Sequence, residues 1–297
     1  MATVSEAQLA GWTGPSSTTE QDKQDRTERM IREAINAHDA FKGSAYSIYA
    51  KGSYANNTNV KSDSDVDIVV ECQEVCYWED IDPASGGHPA STPYVGDWTP
   101  EFLRDQVQAA LEAKFPGSVV AGGTAFTINS STSRVDADVV PCFTFKEYFA
   151  NGSFREGTKV FKSSGGTIDN YPNLQLANGR SKNTRTNGAY KKTVRILKRL
   201  ENAMVDAGIH VEVPSYLIEC LAYNCPDANV GWSTWTANVR DCLATIFNGT
   251  LGAEPSDGSS RWLEANDVKY LFHWQQKWTR ESAHAFADAA WNYMEFD

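Results

Sequence analysis

The pattern of apolar and polar positions changes near the middle of the chain. Up to about residue 150, short β-branched runs alternate with helical spacings; beyond about 188 the apolar residues recur almost only at helical intervals. The run D-V-D-I-V-V at 65–70 reads as a strand, because β-branched residues dominate it and turn residues flank it. Its alternation sends Val66, Ile68 and Val70 to one face and Asp65 and Asp67 to the other. Upstream, 46–50 is a short strand leading into Gly52-Ser53, and Asn56, Asn57 and Asn59 mark a polar loop or short helical turn. Thr18-x-x-Gln21 resembles a capping box, and Met30, Ile31, Ala34, Ile35 and Ala37 then predict a helix over 20–40. Thr99-Pro100-Glu101 starts a helix that runs to about 115. Strands are predicted at 119–121, 125–129 and 134–140, the last stopped by Pro141.

Residues 80–98, with Pro83, Gly86, Gly87, Pro93 and Gly96, read as a surface loop. Residues 151–187 are rich in Gly, Asn, Ser and Thr and read as connecting loops. Helices are predicted at 190–207, 214–224, 235–247 and 273–293. The expected organisation is a flexible start (1–17), a mixed α/β core (18–150), connecting loops (151–187) and a helical lobe (188–297). Trp274 and Trp278, four apart on the last helix, are expected to be core residues, like the other late tryptophans.

Composition narrows the function classes. A net charge of −11 argues against a protein that binds long nucleic acid. No apolar run reaches the length of a membrane span, and the start of the chain lacks a signal-peptide pattern. Six scattered cysteines without a C-x-x-C pair point to a reduced, cytoplasmic setting, and no ligand-spaced His/Cys cluster suggests structural zinc.

The candidate chemistry lies in the acidic strands. Two carboxylates on one strand face repel unless a cation sits between them, and a divalent ion with oxygen ligands is the natural choice. The segment 134–140 carries Asp136 and Asp138 on one face, and either could complete the cluster; Asp138, directly before Val-Val-Pro, is favoured. Asp136 is balanced between a supporting and a structural role. Gly52 and Ser53 offer close backbone approach and a hydroxyl for a phosphate. Asp63 reads as a solvated loop residue.

Gly52-Ser53, eleven intervening residues, Asp65-Val66-Asp67 and the distant Asp138-Val-Val-Pro together resemble nucleotidyltransferases of the polymerase-β type. The stretches Y-K-K-T-V-R-I-L-K-R-L from Tyr190 and P-S-Y-L-I-E-C-L from Pro214 are similar to bacterial cyclic oligonucleotide synthases related to cyclic GMP–AMP synthase. The resemblance implies an α+β, two-lobed fold: a mixed-sheet N-terminal lobe, a long spine helix and a helical C-terminal lobe. It implies Mg²⁺, or alternatively Mn²⁺, on Asp65, Asp67 and Asp138, with nucleotide contacts from Gly52, Ser53, Lys198, Ser215 and Tyr216. Ser215 would meet phosphate, Tyr216 would stack on a base, and Lys198 would reach the phosphates; some cations of its helix must face water in any case, since Val194, Ile196, Leu197 and Leu200 supply the buried side. The substrates implied are ribonucleoside triphosphates, joined into a cyclic second messenger that a downstream effector recognises, in bacteria often in phage defence. An alternative keeps the chemistry and moves AMP or another nucleotide onto a protein, a small molecule or an RNA end. The zinc-binding His/Cys insertion of the animal DNA sensor has no counterpart here.

Overall fold

The computed structural model describes residues 4–60, 65–82, 84 and 86–296. In chain order the elements are α1 (Glu6–Gly11), α2 (Thr18–Ala37), β1 (Tyr46–Lys51), α3 (Gly52–Ala55), β2 (Val66–Asp80), α4 (Pro100–Lys114), β3 (Val119–Ala121), β4 (Phe126–Ile128), β5 (Ala137–Tyr148), β6 (Phe154–Phe161), β7 (Thr167–Asn170), α5 (Pro172–Arg185), α6 (Ala189–Asp206), α7 (Ser215–Asn224), α8 (Trp235–Thr250) and α9 (Arg280–Tyr293). The chain is α+β, as expected, and divides into two units. A sheet unit takes 17–54 and 62–173; a helical unit takes 1–16, 55–61 and 174–297. Asp63 lies outside the described residues.

In the sheet unit the strand order is β1-β2-β5-β4-β3, with β6 and β7 continuing from β5. The β2–β5 pair is parallel and the other pairs antiparallel. One sheet face carries Val66, Ile68, Val70, Ala137 and Val139, all buried under α2 and α4. The two helices present Ile31, Ala34 and Ile35, and Leu103, Val107 and Leu111, at helical spacing. Thr99 caps α4 by accepting from Phe102 N–H at 3.1 Å, with Pro100 in its first turn. Each fully buried aliphatic side chain of this layer contributes about 1.5–3 kcal/mol. The layer therefore fixes strand register, since a one-residue slip would turn Asp67 into the core.

In the helical unit, α6 buries Val194, Leu197, Leu200 and Met204 against α7, α8 and α9. Several expectations are corrected. The capping box of α2 is Ser17 with Glu20, one residue earlier than predicted. Residues 4–16 are ordered rather than flexible: α1 buries Leu9 in the helical core, and Glu6 accepts from the Trp235 and Thr236 N–H groups that start α8. Residues 151–187 form β6, β7 and all of α5 rather than loops alone. The β5 strand runs through Pro141 instead of stopping there. Pairing with β4 covers β5 up to Val139 and pairing with β6 starts at Phe143, so that side of β5 has no partner at Pro141 and the missing N–H disrupts no ladder. The last helix starts at Arg280, because Thr279 and Ser282 form its capping box. Trp274 lies before that helix and is 89% exposed, whereas Trp278 packs on the core.

Candidate active site

Strand register builds the acidic site of the sheet unit. Lys51 on β1 lies opposite Asp67 on β2, Asp67 opposite Asp138 on β5, and Asp138 opposite Thr127 on β4. One row across four strands thus reads cation, carboxylate, carboxylate, hydroxyl. Thr127 Oγ1 donates to Asp138 Oδ1 at 2.7 Å and fixes that carboxylate. Lys51 Nζ stands 4.0 Å from Asp67 Oδ1, too far for a close pair. Burial pushes the Asp67 carboxyl up; Lys51 pulls it down, and the neighbouring Asp138 charge raises it further. Lys51 therefore compensates the carboxylate pair only in part.

Gly52 completes this side of the site. Its φ of 68° is left-handed, and a Cβ there would collide with Asp67 Oδ2, so glycine is required twice over. Ser53 follows in the single turn of α3. Tyr54 secures that turn by donating to Asp25 Oδ1 at 2.6 Å on α2. Asp65 is exposed and immediately precedes β2, two residues from Asp67. Asp136 serves the backbone: its Oδ1 accepts from Ser130 N–H at 2.6 Å and holds the turn before β5. Sequence reasoning missed Lys51 and Thr127. The polar position between Phe126 and Ile128 was a signal for Thr127, but only the pairing shows that it faces Asp138.

Among the described residues, no three His, Cys, Asp or Glu side chains converge as a ready metal cage. That is compatible with Mg²⁺, which takes one or two carboxylates and fills its remaining positions with water and substrate phosphate. Two facing carboxylates, hard oxygen donors only, and an Asp67 carboxyl short of positive charge make a donor set that fits such an ion.

The helical unit treats its charges differently. Lys198 is 2% exposed, with Nζ 3.7 Å from Glu219 Oε2 and 3.5 Å from Thr58 Oγ1. Glu219, equally buried, accepts from Asn56 Nδ2 at 2.8 Å, Thr58 Oγ1 at 2.6 Å and Gln175 Nε2 at 3.1 Å. As placed, the Lys198 ammonium faces these groups in the interior and not an open phosphate site. Of the other cations of α6, Lys192 is exposed, in line with a solvated face, whereas Arg195 and Arg199 are not. Arg195 is buried and donates to Thr13 O at 2.6 Å, with burial lowering its pKa to about 10, and Arg199 donates to the carbonyls of Trp12, Gly14 and Pro15. Lys191 is only half-buried; desolvation pulls its pKa down and Glu219 opposes that. Ser215 is exposed at the start of α7. Tyr216 is half-buried, packs edge-on against Trp278 and donates its hydroxyl to Glu264 Oε2 at 3.2 Å.

Residues 177–295 match the family model of the cGAS/DncV-like nucleotidyltransferase C-terminal helical domain. Over its full length the chain is 34% identical to a cyclic dipyrimidine nucleotide synthase, CdnE, of Cecembia lonarensis, covering 100% of both. It is 36% identical to the CdnE of the same name from Legionella pneumophila, covering 96% of each. Among solved structures it superposes on the Rhodothermus marinus CdnE c-UMP-AMP synthase with Apcpp and Upnpp at a TM-score of 0.83 and 27% identity, covering 99% of this chain and 97% of that one. Full-length identity above 30%, together with the matching helical domain and the superposition, makes this chain a nucleotidyltransferase of the cGAS/DncV-like family, the bacterial cyclic nucleotide synthases.

Proposed function

We propose that the chain joins ribonucleoside triphosphates into a cyclic di- or oligonucleotide second messenger, releasing one pyrophosphate per bond. The observation that carries the reading is the in-register Asp67–Asp138 pair beside Gly52, in a chain whose full-length relatives are named cyclic nucleotide synthases. In each transfer a ribose hydroxyl oxygen bonds to the α-phosphorus of a second triphosphate, the α–β bridging bond breaks, and the hydroxyl proton is lost. A second transfer closes the ring.

Asp65, Asp67 and Asp138 would hold Mg²⁺, which supplies charge neutralisation at the phosphates and a more acidic attacking hydroxyl. Thr127 keeps the Asp138 oxygen oriented, on the side assigned to the acceptor hydroxyl. Gly52 keeps the backbone clear of Asp67, and the amides and hydroxyl of Gly52-Ser53 cradle phosphate. Ser215 adds a phosphate contact and the Tyr216 ring a base contact, worth about 1–3 kcal/mol where stacking occurs. The Lys198 contact is assigned a lesser part, since its ammonium is buried against Glu219. Among the described residues, no helix is long and apolar enough to cross a membrane, in keeping with a cytoplasmic enzyme whose product is read by an effector in phage defence.

The test is to incubate the purified protein with each labelled ribonucleoside triphosphate, singly and in pairs, with Mg²⁺, and then with phosphatase. A phosphatase-resistant product that disappears in excess EDTA is expected. Pyrimidine triphosphates come first, because the Cecembia and Legionella relatives are named for dipyrimidine products. Transfer to a protein or RNA with no cyclic product would overturn the reading.

A further inference from the structure

Lys51 is the charged member of the acidic row that the reaction as written leaves without a part. It is the last residue of β1 and lies opposite Asp67 in register, with Nζ 4.0 Å from Asp67 Oδ1. Among the described residues no other cation comes within that distance of Asp67. A charge-assisted hydrogen bond closes at about 2.7–2.9 Å, so the ammonium attracts this carboxylate without being bonded to it. Both side chains keep contact with water, Lys51 being 27% exposed and Asp67 35%. A lysine ammonium is a compact point charge on a flexible four-carbon stem. The pair is therefore loose enough to part at little cost.

Its place in the chain sets Lys51 between the two halves of the site. Its side chain faces the carboxylates, and the next residues are Gly52 and Ser53, where the left-handed turn carries the chain into α3. Three carboxylates, Asp65, Asp67 and Asp138, and this one ammonium leave the nucleotide-free row two charges negative. In that state the ammonium is the counter-charge that Asp67 has. Once a divalent ion holds the carboxylates, the ammonium is repelled from them, and phosphate at Gly52-Ser53 is the adjacent anion to receive it. Lys51 has the charge, the position and the freedom to serve the two states in turn.

We propose that Lys51 is a phosphate-binding residue that, in the nucleotide-free protein, stands in for the metal beside Asp67, so that metal and triphosphate favour each other's binding. The inference rests on metal at the acidic row and phosphate at Gly52-Ser53. The full-length protein is titrated with Mn²⁺ at pH 8, the free ion being read by electron paramagnetic resonance, and with tripolyphosphate by calorimetry in saturating Mn²⁺. Lys51→Met should bind Mn²⁺ alone about tenfold more tightly than the wild type, the order that Coulomb's law gives for removing a single positive charge a few ångströms from a divalent ion in water. The same variant should bind tripolyphosphate about tenfold more weakly. A lysine with a merely structural role would shift both affinities in one direction or neither. Lys51→Arg should keep both wild-type affinities within about threefold, since the charge is retained. Lys51→Gln should repeat both shifts and replaces Lys51→Met if circular dichroism shows that variant unfolded. A Mn²⁺ affinity unchanged or weakened in the neutral variants, or an unchanged tripolyphosphate affinity, would overturn the proposal while leaving the metal assignment in place. Equal Mn²⁺ binding by the wild type and Asp67→Asn would overturn the metal assignment, and the proposal with it.

Discussion

The two units each contain a cluster of buried or half-buried charge, and they resolve it in opposite ways. In the helical unit, Glu219 meets Lys198, Asn56, Thr58 and Gln175, so both its oxygens are used in the interior. In the sheet unit, Asp67 faces a second carboxylate, its lysine stands 4.0 Å away, and its carboxyl is pushed upward. A satisfied buried pair is what a structural network looks like, whereas like charges held together under partial burial imply a missing cation. The contrast separates a charge cluster that organises the chain from one that awaits a ligand.

The contrast can be broken most directly at the acidic row. Asp67→Asn combined with Asp138→Asn should lower cyclic product formation by at least about 1,000-fold, since ion-assisted charge stabilisation is worth several kcal/mol and each 1.36 kcal/mol is tenfold. The melting temperature should hold or rise, because a repulsion is removed. Near-normal turnover in a folded double variant would end the metal assignment.

Next in size is the satisfied pair. Glu219→Ala leaves the Lys198 ammonium buried without its carboxylate and should cost about 3–5 kcal/mol in urea unfolding. Lys198→Met should cost a comparable amount; a variant of unchanged stability but raised KM for triphosphates would return Lys198 to phosphate binding. Gly52→Ala comes third. It combines a left-handed backbone with a collision at Asp67, and should reduce turnover about 10–100-fold for a stability loss of about 1–2 kcal/mol.

The smallest effect is the pH dependence of Asp67. Its folded pKa lies above the ordinary aspartate value of about 3.9, so the folded chain binds this proton more tightly than the unfolded chain. Stability from this group is therefore lost as pH rises from about 4 through the folded pKa, and the loss is complete above it. Asp67→Asn should stabilise the metal-free protein more at pH 7 than at pH 4. Mg²⁺ at pH 7 should raise the melting temperature of the wild type and not of the variant. A stabilisation by Asp67→Asn independent of pH would contradict the raised pKa.

The acidic row was legible in sequence because alternation in a β-branched run is a strong local signal: Asp67 and Asp138 are where spacing placed them. Their partners were not legible. Lys51 and Thr127 become neighbours only through pairing, which no local pattern specifies. The basic helix misled for a related reason. Arg195 and Arg199 look like a solvated face until the carbonyls of 12–15 are seen to occupy them. Residues 151–171 escaped because Gly, Ser and Thr suit both a loop and β-strands such as β6 and β7. The start of α9 was misplaced because apolar spacing extends past Thr279, while the capping chemistry that begins the helix is shorter in range.

The docking of α1 has a consequence for synthesis. Leu9 and Glu6 find their places only with α8, which begins more than two hundred residues later. At about 5–20 residues per second, α1 of a nascent chain waits roughly 10–50 s for its partner. The strands and helices of the sheet unit, 17–54 and 62–173, all emerge before α5 is complete and need no such delay. On the ribosome the acidic row can thus be assembled while the helical unit is still open, with Val4 and Leu9 exposed to chaperones.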